Sequence, residues 1–241
     1  MRRVRMLDRR WPFWALALLA VGVLIASQIV LPSFVASHIE QAFHDGYPDA
    51  EFIQVQVAAW PAIKLIAGRF DQLHLDARLF SQGGLKVDAF LVDAKDLKIN
   101  LPALRGGAVE IDHVGDLQAT VLIGEDSLNE YLWAKADPAR FMRIELAREQ
   151  ARLVGEMNLF QRTFDLTLDG RFEVLGRTRV GFVVEQLTVE NLQVPKVLLE
   201  TVQSKWNLAM DFSELPVPVA LQEVRLEEDS LYVFGTKWDG R

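Results

Sequence analysis

Hydrophobic and polar residues alternate along much of this chain, which is the pattern of strands with one apolar face. The stretch Arg69–Ala94 shows it clearly, because every second residue in its first half is apolar: Leu73, Leu75, Ala77 and Leu79. After a Gly-Gly break the alternation resumes. The stretch is therefore predicted to form a hairpin of two strands, each apolar on one side.

Further segments share this alternation and are also predicted to be strands: Glu51–Ala58, Leu117–Ile123, Arg140–Arg148, Ala151–Leu159, Arg162–Leu175, Arg177–Val189, Val219–Glu227 and Ser230–Thr236. Arg162–Leu175 is the most regular, with Phe164, Leu166, Leu168 and Phe172 on one face. Gly170 also lies on that face, and a glycine inside a strand favours a bend or a bulge.

Three segments instead carry apolar residues at helical spacing: Ser33–Phe43, Ser127–Ala136 and Pro195–Asn207. Many strands in hairpins with few helices predict an α+β fold, in which a curved, mainly antiparallel sheet packs against a few amphipathic helices. The apolar strand faces fit either a closed protein core or a groove filled by lipid, because both need the same alternation.

The N-terminus adds a membrane segment to this picture. Residues 11–31, from Trp11 to Leu31, carry no charge, and a helix of about 20 residues spans a hydrocarbon core of roughly 30 Å. Residues 1–10 hold five arginines and one aspartate, which favours a cytoplasmic position for this tail. We expect one transmembrane helix in the cytoplasmic membrane, with residues 32–241 forming a single extracytoplasmic domain. A cleaved signal peptide is the alternative, although its apolar core is usually about 7–15 residues long.

Charge and candidate chemistry narrow the function classes. The chain has a net charge of −7, and its first ten residues carry +4, which leaves −11 for the rest. An acidic domain argues against nucleic acid as a partner. The chain has no cysteine, no HExxH and no GxSxG or nucleotide-binding motif. Asp165 and Asp169 share a polar strand face but stand about 13 Å apart, too far for a direct acid pair. We therefore expect neither an enzyme nor a bound cofactor or metal.

Four stretches, in this order, resemble the LmeA-like phospholipid-binding family of bacterial envelope proteins: VQVAAWPAIKLIAGRFDQLHLDA, LKVDAFLVDAKDLKINLPALRGG, LQATVLIGEDSLNEYL and LPVPVALQEVRLEEDSLYVFG. The resemblance covers nearly all of Phe34–Thr236. It implies an N-terminal signal or anchor, phospholipid as the ligand, and an architecture similar to tubular lipid-binding proteins, with a long helix against a curved antiparallel sheet. It implies no catalytic residues.

With the resemblance included, we expect a membrane-tethered module that binds or transfers phospholipid in the bacterial cell envelope. Nine residues are predicted to line its lipid site, three of them closing it from a helix: Leu73, Leu75, Leu79, Leu166, Leu168 and Phe172 on the sheet, and Leu199, Val202 and Trp206 on the helix. The alternative is a non-enzymatic assembly protein of the envelope, with these residues in a dry core and a protein as its partner.

Overall fold

A computed structural model describes residues 11–105, 111–159, 162–190, 192–195, 208–215, 217 and 219–238. Its first element, helix α1 (Trp11–Gly46), runs without a break through Pro32, which lies between the predicted membrane segment and the predicted helix Ser33–Phe43. Proline removes one helical hydrogen bond. The helix nevertheless continues, and Leu31 and Val35 on either side of Pro32 both pack against the domain core.

The outer half of α1, up to Val30, makes no contact that buries its described large apolar side chains. Its described large apolar side chains from Trp14 to Val30 are 51–73% exposed. By length and composition this segment is able to span a membrane, a property that a signal sequence shares.

Twelve strands follow in the described residues, with bounds β1 (Phe52–Ala58), β2 (Arg69–Gln82), β3 (Leu85–Ile99), β4 (Ile111–Gly124), β5 (Met142–Ala147), β6 (Gln150–Leu159), β7 (Arg162–Val174), β8 (Arg179–Val189), β9 (Leu192–Gln193), β10 (Ala209–Asp211), β11 (Val219–Glu227) and β12 (Ser230–Lys237). Three shorter helical elements interrupt them: the 3₁₀ helix Ala62–Ala67, α2 (Leu101–Arg105) and α3 (Glu125–Lys135).

The strands form two antiparallel sheets. The first has the order β1-β2-β3-β4-β12-β11, and the second has the order β10-β8-β7-β6-β5 with β9 beside β8. The predicted α+β class with antiparallel strands is confirmed. The sequence predicted one sheet, however, and the strands divide between two.

The hairpin of β2 and β3 shows where alternation fails as a guide. Leu73 and Leu75 point inward, as predicted, opposite Ala94 and Val92. Leu79 has a left-handed backbone with φ of 55°, which L-residues rarely adopt. Beyond it the alternation changes phase and Phe80 becomes fully buried. The predicted apolar face therefore stops before Leu79.

The buried side chains of both sheets form one hydrophobic cluster. Helix α3 lies between the sheets and contacts β3 and β5. The buried Asn129 joins α3 to β5, because its Nδ2 donates to Ile144 O (2.9 Å) while Ile144 N donates to its Oδ1 (2.6 Å). The predicted helix Ser127–Ala136 is therefore confirmed as α3. Of the predicted helix Pro195–Asn207, only Pro195 is among the described residues.

Gly170 marks the predicted irregularity in β7. The pairing of β7 with β8 shifts register between Asp169 and Gly170. A Cβ on Gly170 would lie 2.3 Å from Val183 O and 2.7 Å from the Phe182 ring, so only glycine fits at this approach. The bulge predicted from the sequence is confirmed.

Candidate functional site

The inner half of α1, from Leu31 onward, covers the first sheet and leaves a narrow apolar cleft between the helix and the sheet. Ile39 and Phe43 face the sheet from the helix. The described residues that line the cleft are all apolar, and those of the sheet and its flanks are Leu73, Leu75, Val92, Ala94, Leu97, Ile99, Ile111, Leu117 and Val217. The free volume is about 30 Å³. That is room for one or two water molecules, so the cleft is nearly closed in this conformation.

Helix α1 is held over the cleft by contacts at its inner end. The Phe43 ring lies 4.9 Å from Tyr47 and 5.8 Å from Phe80, measured between centroids. One turn earlier, Glu40 Oε1 accepts a hydrogen bond of 2.8 Å from Val55 N, at the edge strand β1. These contacts fix the helix to one edge of the sheet without crossing the cleft.

A second, wider groove lies along α1 on the side nearer its exposed half. Its lining is Leu31, Phe34, Val35 and His38 from α1, Leu65 and Ile66 from the 3₁₀ helix, and Leu101 from α2. Its free volume is about 260 Å³. The positions on α1 follow helical spacing and lead directly to Ile39 and Phe43. The groove and the cleft are separate pockets with no lining residue in common, but Val35 of the groove lies one helical turn before Ile39 of the cleft, and we call the two together the apolar path along α1.

The size of this path decides what it can hold. A methylene group takes about the volume of a water molecule, so the groove accepts on the order of ten methylenes. Ligand pockets usually measure about 300–1,000 Å³. The groove alone thus fits part of one acyl chain, and a whole phospholipid needs the cleft to widen between α1 and the sheet.

The residues predicted to form the lipid site divide between the two sheets. Leu73 and Leu75 line the cleft. Leu79 is half-buried beyond the change of phase. Leu168 and Phe172 are buried in the second sheet, where Phe172 packs on Phe182 at 5.4 Å between centroids.

Leu166 completes the predicted residues of the sheet. Leu166 is half-buried beside an open recess of about 750 Å³, with Trp133 and Phe141. Leu199, Val202 and Trp206 fall outside the described residues. The helix that covers Leu73 and Leu75 is α1. The apolar spacing along residues 34–43 signals this role in the sequence, but the partner strands were not predictable from it.

Ion pairs cover the polar side of both sheets. His74 Nδ1 lies 2.8 Å from Asp93 Oδ1, and Lys98 Nζ lies 3.1 Å from Asp112 Oδ2. On the second sheet Arg152 Nε donates to Asp169 Oδ1 at 2.7 Å. Within the residues that the structure describes, no group of three or more acidic or histidine side chains is placed to hold a metal. These charges fit a solvated surface, where such pairs contribute little to stability.

The carboxylate of Asp71 lies beside the 3₁₀ helix that lines the groove. Its Oδ2 accepts a hydrogen bond of 2.6 Å from Trp60 N, and Lys64 Nζ donates to its Oδ1 at 3.0 Å. The bond from Trp60 and the nearby Lys64 ammonium lower the pKa of the Asp71 carboxyl below its ordinary value. Asp71 is therefore charged at neutral pH and fastens the loop that forms one wall of the groove.

Comparison with known proteins gives a match at the level of the family. The family described as LmeA-like phospholipid-binding matches residues 26–236, which is nearly the whole chain and includes the groove, the cleft and both sheets. No curated protein and no solved structure matches.

Proposed function

Because this chain belongs to the LmeA-like phospholipid-binding family, we propose that it holds an acyl chain of a membrane phospholipid in the groove and cleft beneath α1. The observation that carries this proposal is the order of apolar positions along α1. One helix presents exposed apolar residues over the length of a membrane, then lines the groove at Leu31 and Val35, and then covers the cleft at Ile39 and Phe43.

The same helix supports a tethered arrangement in the cell envelope of a bacterium. In this arrangement residues 11–31 span the cytoplasmic membrane, and the arginine-rich tail of residues 1–10 stays in the cytoplasm. The domain then stands on the extracytoplasmic side. The mouth of the groove lies at Leu31, where the apolar helix leaves the hydrocarbon, so a lipid needs to travel only a short distance to enter.

The mechanism we propose is partition and includes no chemical step. Relative to water, each methylene in an apolar site contributes about 0.8 kcal/mol, so about ten methylenes in the groove oppose release of the chain into water by roughly 8 kcal/mol before ordering costs. Entry from the bilayer exchanges one apolar surrounding for another and gains little of this energy. A longer chain would reach the cleft by separating Ile39 and Phe43 from the sheet. The cleft lining is apolar, and His38 is the one polar side chain among the described residues that line the groove, so we expect the headgroup to remain outside both.

Photocrosslinking in a membrane tests this proposal. The full chain is reconstituted into vesicles of phosphatidylcholine and phosphatidylglycerol that contain a phospholipid with a diazirine on its acyl chain. After illumination, modified peptides are located by mass spectrometry. We expect modification of the β2 peptide at Leu73 and Leu75, whose side chains are 7% and 4% exposed and face the cleft. A lipid with its diazirine on the headgroup is the matched control and should not modify these residues.

The opposite result would be acyl-chain crosslinks only along the exposed length of α1 from Trp14 to Val30. This result would mean that the cleft is a dry core. The alternative, an assembly protein of the envelope with a protein partner, would then account for the chain better.

A further inference from the structure

The 3₁₀ helix Ala62–Ala67 has two apolar faces, and only one of them is buried. Side chains three apart in a 3₁₀ helix lie on the same side. Ala62 and Leu65 point into the core and are 0% and 1% exposed. Ile63 and Ile66 lie on the next side and are 54% and 59% exposed, and Trp60 just before them is 74% exposed. We call Trp60, Ile63 and Ile66 the outer 3₁₀ face.

The outer 3₁₀ face is held rigidly. Asp71 fixes both the backbone of Trp60 and the side chain of Lys64, as described above. Gly68 ends the helix with φ of 70°, and a Cβ there would lie 2.3 Å from Ile99 O, so the segment is pressed closely against β3. Two fully buried side chains and this bracing mean that the apolar residues stay exposed when the loop is in its folded position.

Position along α1 indicates what this surface meets. The 3₁₀ helix lies against α1 at the level of Leu31 to His38, because Leu65 and Ile66 line the groove with them. At 1.5 Å per residue this level starts at the end of the apolar span and reaches roughly 10 Å further. The headgroup region on each side of a bilayer is about 5–8 Å thick. Phe34, which is 58% exposed, lies at the same level.

We infer that the outer 3₁₀ face is a second membrane contact, which inserts into the lipid interface beside α1 and seats the mouth of the groove on the bilayer. A tryptophan with aliphatic neighbours is the composition that membrane interfaces favour. Lys64 lies between the two isoleucines in sequence, and Asp71 balances its charge at this surface. The inference rests on the proposed membrane-spanning role of residues 11–31, but not on lipid entering the cleft.

The absence of cysteine from the chain permits a direct test with single labels. Ile63→Cys and Lys86→Cys are each made in the full chain and labelled with an environment-sensitive fluorophore. Lys86 is the matched control, because it is exposed on β3 at the far end of the hairpin, roughly 40 Å along the strands from the 3₁₀ helix. Both proteins are placed in phosphatidylcholine–phosphatidylglycerol nanodiscs, which leave each face of the bilayer open to solvent.

We expect the label at position 63 to emit at shorter wavelength, to resist quenching by aqueous iodide, and to be quenched by phospholipid carrying a nitroxide on its acyl chain. The label at position 86 should show the opposite on all three measures. Equal iodide quenching at the two positions would overturn the inference. Protection from iodide without quenching by nitroxide lipid would also overturn it, because the cover would then be protein, such as a second copy of the chain.

The same samples separate this inference from the proposed function. An intact mass that retains residues 11–31 establishes that the anchor is present when the labels are read. Buried label at position 63 without acyl crosslinks at Leu73 would leave the second membrane contact standing and remove lipid from the cleft. Crosslinks at Leu73 with a water-exposed label at position 63 would do the reverse.

Discussion

A single charge in the groove should separate lipid binding from folding. Val35 lines the groove from α1 and is half-buried, so Val35→Asp places a carboxylate where the acyl chain is proposed to lie. Ser37→Asp is the matched control. It adds the same charge two residues along the same helix, at an exposed position.

The size of the effect follows from what covers the carboxylate. Without lipid, the carboxylate at position 35 is half-exposed in the open groove, and the main cost is the lost packing of Val35 against the domain core, about 1 kcal/mol for the buried part of the side chain. With an acyl chain in place the carboxylate must lose its water or take a proton, and burying an unpaired charge costs several kcal/mol. A loss of about 3 kcal/mol corresponds to roughly a hundredfold weaker binding. A chain that enters from the bilayer gains little net burial, so a cost of this size is enough to empty the groove.

The assay is acyl-chain photocrosslinking to the β2 peptide of the full chain in the vesicles described above, with thermal unfolding alongside. We expect Val35→Asp to lose nearly all acyl crosslinks at Leu73 and Leu75, while its Tm falls by only a few degrees relative to Ser37→Asp because part of the core packing of Val35 is lost. Equal crosslinking of the two variants would show that no acyl chain passes Val35. A loss of crosslinks together with general unfolding of Val35→Asp would show instead that the packing of Val35 is essential to the fold.

Three further predictions concern the framework of the site. Gly170→Ala should destabilise the domain by about 1–3 kcal/mol, because the new Cβ meets Val183 O. A shift of the denaturant midpoint measures this effect, and an unchanged midpoint would show that β7 can move away from Val183. Asp71 contributes stability above its unfolded pKa of about 3.9 and loses it as pH falls through its lower folded pKa, so protection of the Trp60 amide from hydrogen exchange should fall in acid. Asp71→Ala, which has no acceptor, should remove this protection at neutral pH, whereas the amide oxygen of Asp71→Asn can still accept the bond. Asn129→Ala should lower the free energy of unfolding by about 2 kcal/mol or more, because it leaves buried backbone groups of β5 unpaired. An unfolding midpoint no lower than that of a substitution at an exposed position would contradict this role.

Much of the fold follows from local pattern, and the exceptions have physical causes. Alternation located the hairpins, and the glycine at position 170 marked a real register shift, because both depend on neighbours in sequence. The change of phase at Leu79 was not predictable, because nothing in its side chain favours a left-handed backbone. The division into two sheets was also hidden. Leu75 and Leu168 have the same alternating context, and only long-range pairing places them on different sheets.

The site shows a similar limit. The spacing of Phe34, Val35, Ile39 and Phe43 gave the apolar face of α1 from sequence, but not which strands it covers. Pattern also could not distinguish a dry core from a lipid site, and the nearly closed cleft explains why. The same side chains serve both states, and the difference lies in whether α1 can separate from the sheet.

When α1 separates from the sheet, Ile39 and Phe43 lose their apolar contacts with the strands. What replaces these contacts determines where lipid can enter the cleft. Exposing Ile39 and Phe43 to water would cost roughly 3–6 kcal/mol, at about 1.5–3 kcal/mol for each large side chain. If an acyl chain follows the helix as it moves, these side chains pass from the sheet to lipid, and most of that cost disappears. Opening should therefore be rare in solution and frequent at a bilayer, where lipid is at the mouth of the groove. A domain held with Leu31 at the membrane surface needs no other trigger, since the membrane supplies both the ligand and the apolar surroundings that opening requires.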